Sequence, residues 1–522
     1  MDKIIGICSD GASTMLGVHK GVCTQLAKRI RAERQVIIDN MISHDHTRTM
    51  DSFHVNRGVF VVHCVCHRLA LILTDAIKGS KSCAKVIPDD VINLLNMVYN
   101  YFARSPQRKK AMRDYIDLLN RNNNDARLRA LEAERQGRRA IPGIIVQNPV
   151  VELDRVMALL EEKHKLPRRV VLTRWLSCAD AVRVILKCRD VYTEFFANED
   201  GTIGASEILE LLEDSAVMAW YACMHDVLPV LTGLNVLFQS SKPLPHLLFN
   251  KITLTKMALI NMVGTGAVRT ELIPIATINF DTSFGAFVNK FIRDYSGAAP
   301  ITGTGGRLTR GEVVELKKKF FTFYVHCLEQ IDARFPPENM ECFKLMQVLD
   351  PTVIHGPLRR TQIGDADLTI VVHKLVHMFE VPLHASGCIT PEAVKNSFIL
   401  FRASEVCCDL WKELKADKSF EESHIYEYYK MILLQMPDMK PWALFALFVL
   451  VFPTGNAIAE RGFSAMGAAH SKQRSEMGHA QVFAHMIIGF NGPPVKEFER
   501  LIEIESRQPN WPLFIHPNNF ND

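Results

Sequence analysis

The sequence predicts an α/β unit joined to a large all-helical region, and three observations support this fold class. Two short apolar runs, Lys3–Cys8 and Val59–Cys64, are each followed by residues with helical apolar spacing. Helical spacing then dominates from Asp89 to about Leu434. The longest apolar run, Trp442–Phe452, is shorter than the roughly 20 residues that a membrane helix needs, so we expect it to be buried core.

The composition sets broad limits on the class of protein. A chain of 522 residues is too long for one ordinary core, so two or three structural units are expected. With 48% hydrophobic and 23% charged residues it is typical of soluble globular proteins and not of disordered ones. The formal net charge of +4 permits nucleic-acid binding without arguing for it. Thirteen cysteines without a regular framework, and no signal peptide, indicate a reduced intracellular compartment.

The first elements alternate between strand and helix, which predicts a parallel pair of strands. In order we predict a strand at Lys3–Cys8, a helix at Ala12–Ile30, a polar loop through Arg57, a strand at Val59–Cys64 and a helix at Cys66–Ile77. Two strands cannot complete such a sheet. We therefore expect the C-terminal segment to return to it, and residues upstream of Met1 to be missing.

The long middle of the chain is predicted to be helical, with two non-helical interruptions. Apolar spacing is clearest in Val91–Phe102, Val150–Leu160, Ile208–Leu237 and Phe320–Leu349. The breaks are Asn120–Pro142, which is polar and charged, and Ser296–Gly311, which is rich in glycine and threonine.

Two carboxylates are candidate catalytic residues. Asp10 follows the first predicted strand, where open α/β sheets place their ligand sites, although an aspartate there also suits a turn or a helix N-cap. Glu460 lies near the start of the last predicted helix, where it would equally complement the helix dipole.

Four potential metal ligands lie within the five residues His63-Cys64-Val65-Cys66-His67. Cys64 and His67 could share a helical turn and bind zinc, but no second pair follows at a suitable distance. Buried packing at a strand–helix junction is the alternative.

Basic residues beside an aromatic suggest contact with nucleic acid. Arg168 and Arg169 precede Arg174 and Trp175, and such a tryptophan can stack on an unpaired base while arginines contact phosphates. The segment Arg104–Arg139 is also basic. A core tryptophan and a solvated charged face are the alternatives.

Several short motifs are weak signals individually, but their order along the chain resembles that of a known protein family. They are SDGAS with Asp10, HCVCHRLAL with Cys64 and His67, YFARSP at Tyr101–Pro106, TRW at Thr173–Trp175, LDP at Leu349–Pro351 and AERGFS at Ala459–Ser464. Together they resemble hAT-superfamily transposases and host proteins derived from them, most closely the zinc-finger-and-hAT type.

The resemblance implies a partial ribonuclease-H-like sheet interrupted by a large helical insertion. The implied divisions are an α/β unit at 1–80, a helical insertion at 81–434, a dimerisation region at 435–497 that returns to the sheet, and a tail at 498–522. Asp10 would match the second acid of the family, Glu460 the third, and Trp175 a residue near the flipped base or hairpin end. Cys64 and His67 match its CxxH signature.

The last region also contains a candidate dimer contact. Phe463, Met466, Val482 and Met486 would form an apolar face, which could instead be ordinary core.

The departures from the family pattern decide the expected function. The first acid of the family comes from a strand that precedes SDGAS, and the zinc finger lies further upstream; we expect both to be absent. The resemblance then implies a nuclear protein without nuclease activity that pairs with itself, with DNA a second potential partner. It needs no cofactor, and Mg²⁺ or Mn²⁺ would matter only for a complete site. No membrane association is expected. The alternatives are a fragment of an active transposase and a non-catalytic DNA-binding regulator.

Overall fold

The chain divides into two compact units, Met1–Gly455 and Asn456–Asp522. The computed structural model describes residues 5–9, 21–44, 60–78, 85–115, 175–199, 204–240, 242–262, 284–296, 306–355, 368–387 and 389–455. All of them belong to the first unit, which in this part is mostly helical with a small parallel sheet. The domain boundaries expected from the resemblance stay predictions.

The described strands are β1, Gly6–Ser9, and β2, Phe60–His63, which pair in parallel. The described helices are α1 Val22–His44, α2 Val65–Lys78, α3 Asp89–Ala103, α4 Trp175–Lys187, α5 Arg189–Asn198, α6 Ala205–Glu213, α7 Ser215–Phe238, α8 Pro245–Met262, α9 Ala286–Ser296, α10 Arg310–Arg334, α11 Pro337–Met346, α12 Pro351–His355, α13 Leu368–Met378, α14 Glu380–Ser386, α15 Pro391–Ala403, α16 Glu405–Ala416, α17 Ile425–Gln435 and α18 Lys440–Leu450. Residues 106–115 are helical as well.

Helix α1 corrects the loop that was predicted to follow Ile30. The helix continues to His44, because Ile30, Arg34 and Ile38 lie four residues apart on one buried face. Arg34 can join that face because the stem of its side chain is aliphatic. Ile38 packs with Val381 of α14 in a small apolar cluster. The stretch after Ile30 is mostly polar in composition, but it forms a helix with a narrow buried face.

Helix α7 is the centre of the main core. It packs against α4, α8 and α9, and fifteen of its residues are buried. Among the described helices it alone is long and apolar enough to cross a membrane, but core helices meet the same criterion. Asp214 separates it from α6 within the stretch predicted as one helical segment, since its carboxylate accepts the amides of Ala216 and Val217 as an N-cap.

Helix α18 covers most of the longest apolar run, which is largely buried as predicted. Trp442, Phe445 and Val449 are fully buried, and the helix packs against α15 and α17. The indole of Trp442 lies 4.7 Å from the ring of Phe398, between centroids. This helix ends at Leu450, directly before the chain returns to the sheet.

Candidate functional site

The candidate functional site is the carboxyl end of the two-stranded sheet. The register pairs Gly6 with Phe60 and Ser9 with His63, so β1 and β2 end together. Open α/β sheets bind their ligands outside this end of the strands. A ligand bound at this end of the sheet would therefore lie close to the start of α2.

Two consecutive amides join three distant segments at this end. The amide of Cys64 donates to the carbonyl of Ser9 at 2.7 Å. The amide of Val65 donates to the carbonyl of Thr454 at 3.0 Å. Because Val65 begins α2, its amide has no acceptor within the helix and is available for this bond. The end of β1, the start of α2 and the segment after α18 thus meet at one place.

The return segment, residues 452–455, packs across the sheet. The ring centroid of Phe452 lies 5.4 Å from that of Phe60 and 5.5 Å from that of Phe343. Gly6 allows the close approach of Pro453, since a Cβ atom at Gly6 would lie 2.8 Å from the proline Cδ. No sequence pattern predicts these contacts. The only signal was a set of turn residues directly after a buried apolar run.

Replacing Gly6 with alanine is therefore expected to lower the free energy of unfolding by about 1–3 kcal/mol, the usual cost of overpacking a tight contact. Chemical denaturation followed by circular dichroism measures it. Gly233 is the matched control, because it lies inside α7 with no atom near the position of an added Cβ. Gly233→Ala should stabilise by about 0.5–1 kcal/mol, the helix-propensity gain. Equal effects of the two substitutions would contradict the packing of Pro453 on β1.

A pair of thiols lies beneath this junction. The thiols of Cys8 and Cys64 are hydrogen-bonded, and this bond, together with burial, raises the pKa of Cys8. Nearby Cys66 and Cys23 add to the same shift. A thiol with a raised pKa stays protonated near neutral pH and is a poor nucleophile. We therefore assign Cys8 a packing role.

The two cysteines of the HCVCH motif have different hydrogen-bond partners. Cys64 is 2% exposed and faces Cys8, whereas the thiol of Cys66 donates to the carbonyl of Asn235 at 3.6 Å. The rings of His63 and His67 lie 5.7 Å apart. Over the residues that the structure describes, no group of three or more His, Cys, Asp or Glu side chains could hold a metal ion. Cys64 and His67 as metal ligands stay a prediction.

A cavity of about 170 Å³ adjoins the edge of β2. It is lined mainly by apolar side chains, with the polar groups of Arg68, Asn339, His63 and Glu338. Arg68 donates to the carbonyl of Arg334, the last residue of α10, and lies 5.6 Å from the ring of Phe335. Burial and the charge of Arg334 lower the pKa of Arg68. The cavity is smaller than the ~300 Å³ typical of the smallest ligand pockets, and Arg68 caps a helix there.

Two motifs that carried the resemblance have structural roles. In YFARSP, Tyr101 and Phe102 are buried, and the hydroxyl of Tyr101 donates to Glu199 at 2.7 Å. In LDP, the hydroxyl of Tyr429 donates to the carbonyl of Leu349 at 2.7 Å, and the carboxylate of Asp350 accepts the amide of Thr352 at 2.8 Å. The two tyrosine bonds join distant segments, and Asp350 caps the start of α12.

Most of the predicted site residues lie outside the described residues. They are the acids Asp10 and Glu460, the basic residues Arg168, Arg169 and Arg174, and the apolar residues Phe463, Met466, Val482 and Met486. Trp175 begins α4, but its side chain also lies outside the described part. The described backbone nevertheless contains Ser9, directly before Asp10, and Thr454, a few residues before Glu460.

Comparison with known proteins finds no family model that matches this chain, and a search of the curated proteins finds no match either.

Proposed function

We propose that this protein derives from an hAT-superfamily transposase and self-associates through residues 435–497, without nuclease activity. The observation that carries the proposal is the pair of hydrogen bonds from Cys64 and Val65 to Ser9 and Thr454. In the fold that the resemblance implies, a ribonuclease-H-like sheet is interrupted by helices, and the chain then returns to it. A return segment just before the AERGFS signature supports that arrangement.

The proposed lack of activity follows from the count of matching acids. A two-metal site places several carboxylates around two cations about 4 Å apart. Two acids of this chain, Asp10 and Glu460, match the family pattern. The proposal therefore treats them as remnants of a nuclease site and needs no cofactor. It places the protein in the nucleus, as the resemblance implies, with a second copy of itself as partner.

Self-association is tested by comparing the full chain with a chain that ends at Gly455, using sedimentation velocity. This end point keeps α18, whose buried Trp442 belongs to the main core. We expect a dimer or higher oligomer for the full chain and a monomer for the shorter one, because the shorter chain lacks the proposed contact residues Phe463, Met466, Val482 and Met486. Equal stoichiometry of the two would overturn the proposal.

A substitution within the full chain distinguishes loss of the proposed interface from an effect of shortening the chain. Phe463→Asp with Met466→Asp should dissociate the oligomer, because a buried charge opposes an apolar interface. Leu434→Asp is the control, since Leu434 is 74% exposed on α17 and should leave association unchanged. The same preparations should not cleave DNA in Mg²⁺ or Mn²⁺. Cleavage that depends on Asp10 would instead favour an active transposase.

A further inference from the structure

Three sulfur atoms converge between α16 and the turn that follows α17. The thiol sulfur of Cys407 lies 3.5 Å from the thioether sulfur of Met436 and 3.4 Å from that of Met439. Cys407 is fully buried, whereas both methionines are half-buried. The group therefore lies at the edge of the core, with its methionine side partly open to solvent.

The backbone on both sides of this sulfur cluster is held in place. The amide of Cys407 donates to the hydroxyl of Ser404 at 3.2 Å, and its carbonyl accepts the hydroxyl of Tyr428 at 3.0 Å. On the other side, the amide of Met439 donates to the carbonyl of Met436 at 3.0 Å, closing a turn. This turn presents both thioethers toward one thiol, so the donor atoms are arranged before any ligand binds.

The donor set selects a particular class of metal ion. Thiolate and thioether sulfurs are soft ligands and favour Cu(I), whereas magnesium, calcium and manganese prefer oxygen. A metal held by sulfur at about 2.3 Å, the distance in zinc thiolates, would space the sulfurs of a trigonal site about 4 Å apart. Each thioether sulfur needs to move roughly half an ångström farther from the sulfur of Cys407, which flexible methionine side chains allow.

We propose that Cys407, Met436 and Met439 form a trigonal binding site for a soft monovalent cation, Cu(I). The thiol of Cys407 loses its proton to solvent as the Cu–S bond forms, and the two thioethers bind without a change of protonation. The metal keeps its oxidation state, so the step needs no oxidant or reductant. Silver(I), which has the same charge and softness, should occupy the same site.

The first test is an anaerobic titration of the full chain with Cu(I) in competition with a chromophoric chelator. Thirteen cysteines offer other places for copper, so the informative quantity is the difference between variants. Met436→Leu with Met439→Leu conserves volume and should weaken one binding event about 10-fold or more. Cys407→Ser should remove that event. Affinity unchanged in the double variant would show that the sulfurs only pack against each other, and would overturn the proposal.

Two control variants each remove one sulfur atom that lies outside the cluster. Cys408→Ser removes the adjacent thiol of α16, and Met431→Leu removes a thioether of α17 that is not part of the cluster. Both should bind Cu(I) as the parent does. Loss of the tight event in either control, with retention in the double methionine variant, would place the site elsewhere.

A second measurement needs no variant. X-ray absorption at the copper edge, on the parent chain loaded with one equivalent of Cu(I), should show three sulfur neighbours. A linear site with two sulfurs, or one with nitrogen or oxygen neighbours, would contradict the assignment even if the variants failed to fold.

Discussion

Replacing Trp442 with alanine is expected to lower the free energy of unfolding by about 3–5 kcal/mol. The side chain is fully buried, and its ring lies 4.7 Å from Phe398 and 5.7 Å from Phe401 of α15. Removing it leaves a cavity lined by aromatic rings that cannot collapse without moving α15 and α18. Urea denaturation followed by circular dichroism measures the loss.

Leu434 supplies the control for this experiment. It lies on the neighbouring α17 and is 74% exposed, so Leu434→Ala should change stability by no more than about 0.5 kcal/mol. A cost below about 1 kcal/mol for Trp442→Ala would contradict the packing of α18 against α15.

Acid is expected to destabilise the protein through His246. This side chain is 2% exposed at the start of α8, and burial lowers its pKa to about 3 from an ordinary value of 6.5. Between these values the unfolded chain binds a proton that the folded chain excludes, so stability falls as the pH falls from 6.5 toward 3. At about pH 4.5 the loss is roughly 2–3 kcal/mol relative to neutral pH.

The measurement is the free energy of unfolding of the parent and of His246→Gln at neutral pH and at about pH 4.5. The variant should lose roughly 2–3 kcal/mol less on acidification, because glutamine does not titrate. It should retain some acid sensitivity, since burial also lowers the pKa of His326. His373→Gln, at an exposed position of α13, should behave as the parent does. The same pH dependence in the parent and His246→Gln would show that another group is responsible.

Periodicity predicted the elements that have a clear apolar stripe and missed the one that does not. The two parallel strands and the buried run Trp442–Phe452 follow from continuous apolar residues. In the stretch 31–44 polar residues outnumber apolar ones, and this composition predicts a loop. The structure shows a helix there whose buried face consists of every fourth residue, one of them an arginine. Such a sparse apolar pattern does not predict a helix, and its contact with α14 stabilises it.

The site was less accessible to sequence reasoning than the fold. The sequence predicts that the chain returns to the sheet. It does not predict the hydrogen bond from Val65 to Thr454 or the close packing of Pro453 against Gly6. These contacts join residues hundreds of positions apart, and no local pattern encodes them. Cys407 of α16 and Met436, directly after α17, are only 29 residues apart, but no local pattern encodes their contact either. Proximity of this kind arises only from packing.

The bond between Val65 and Thr454 has a consequence for the order in which the protein is made. About 390 residues separate the two partners. At about 5–20 residues per second, a ribosome needs roughly 20–80 s to deliver Thr454 after Val65 has emerged. Throughout that interval β1 and β2 lack the segment that covers them, and their apolar residues are open to unwanted association. We therefore expect the nascent chain to depend on chaperones until translation has passed the return segment.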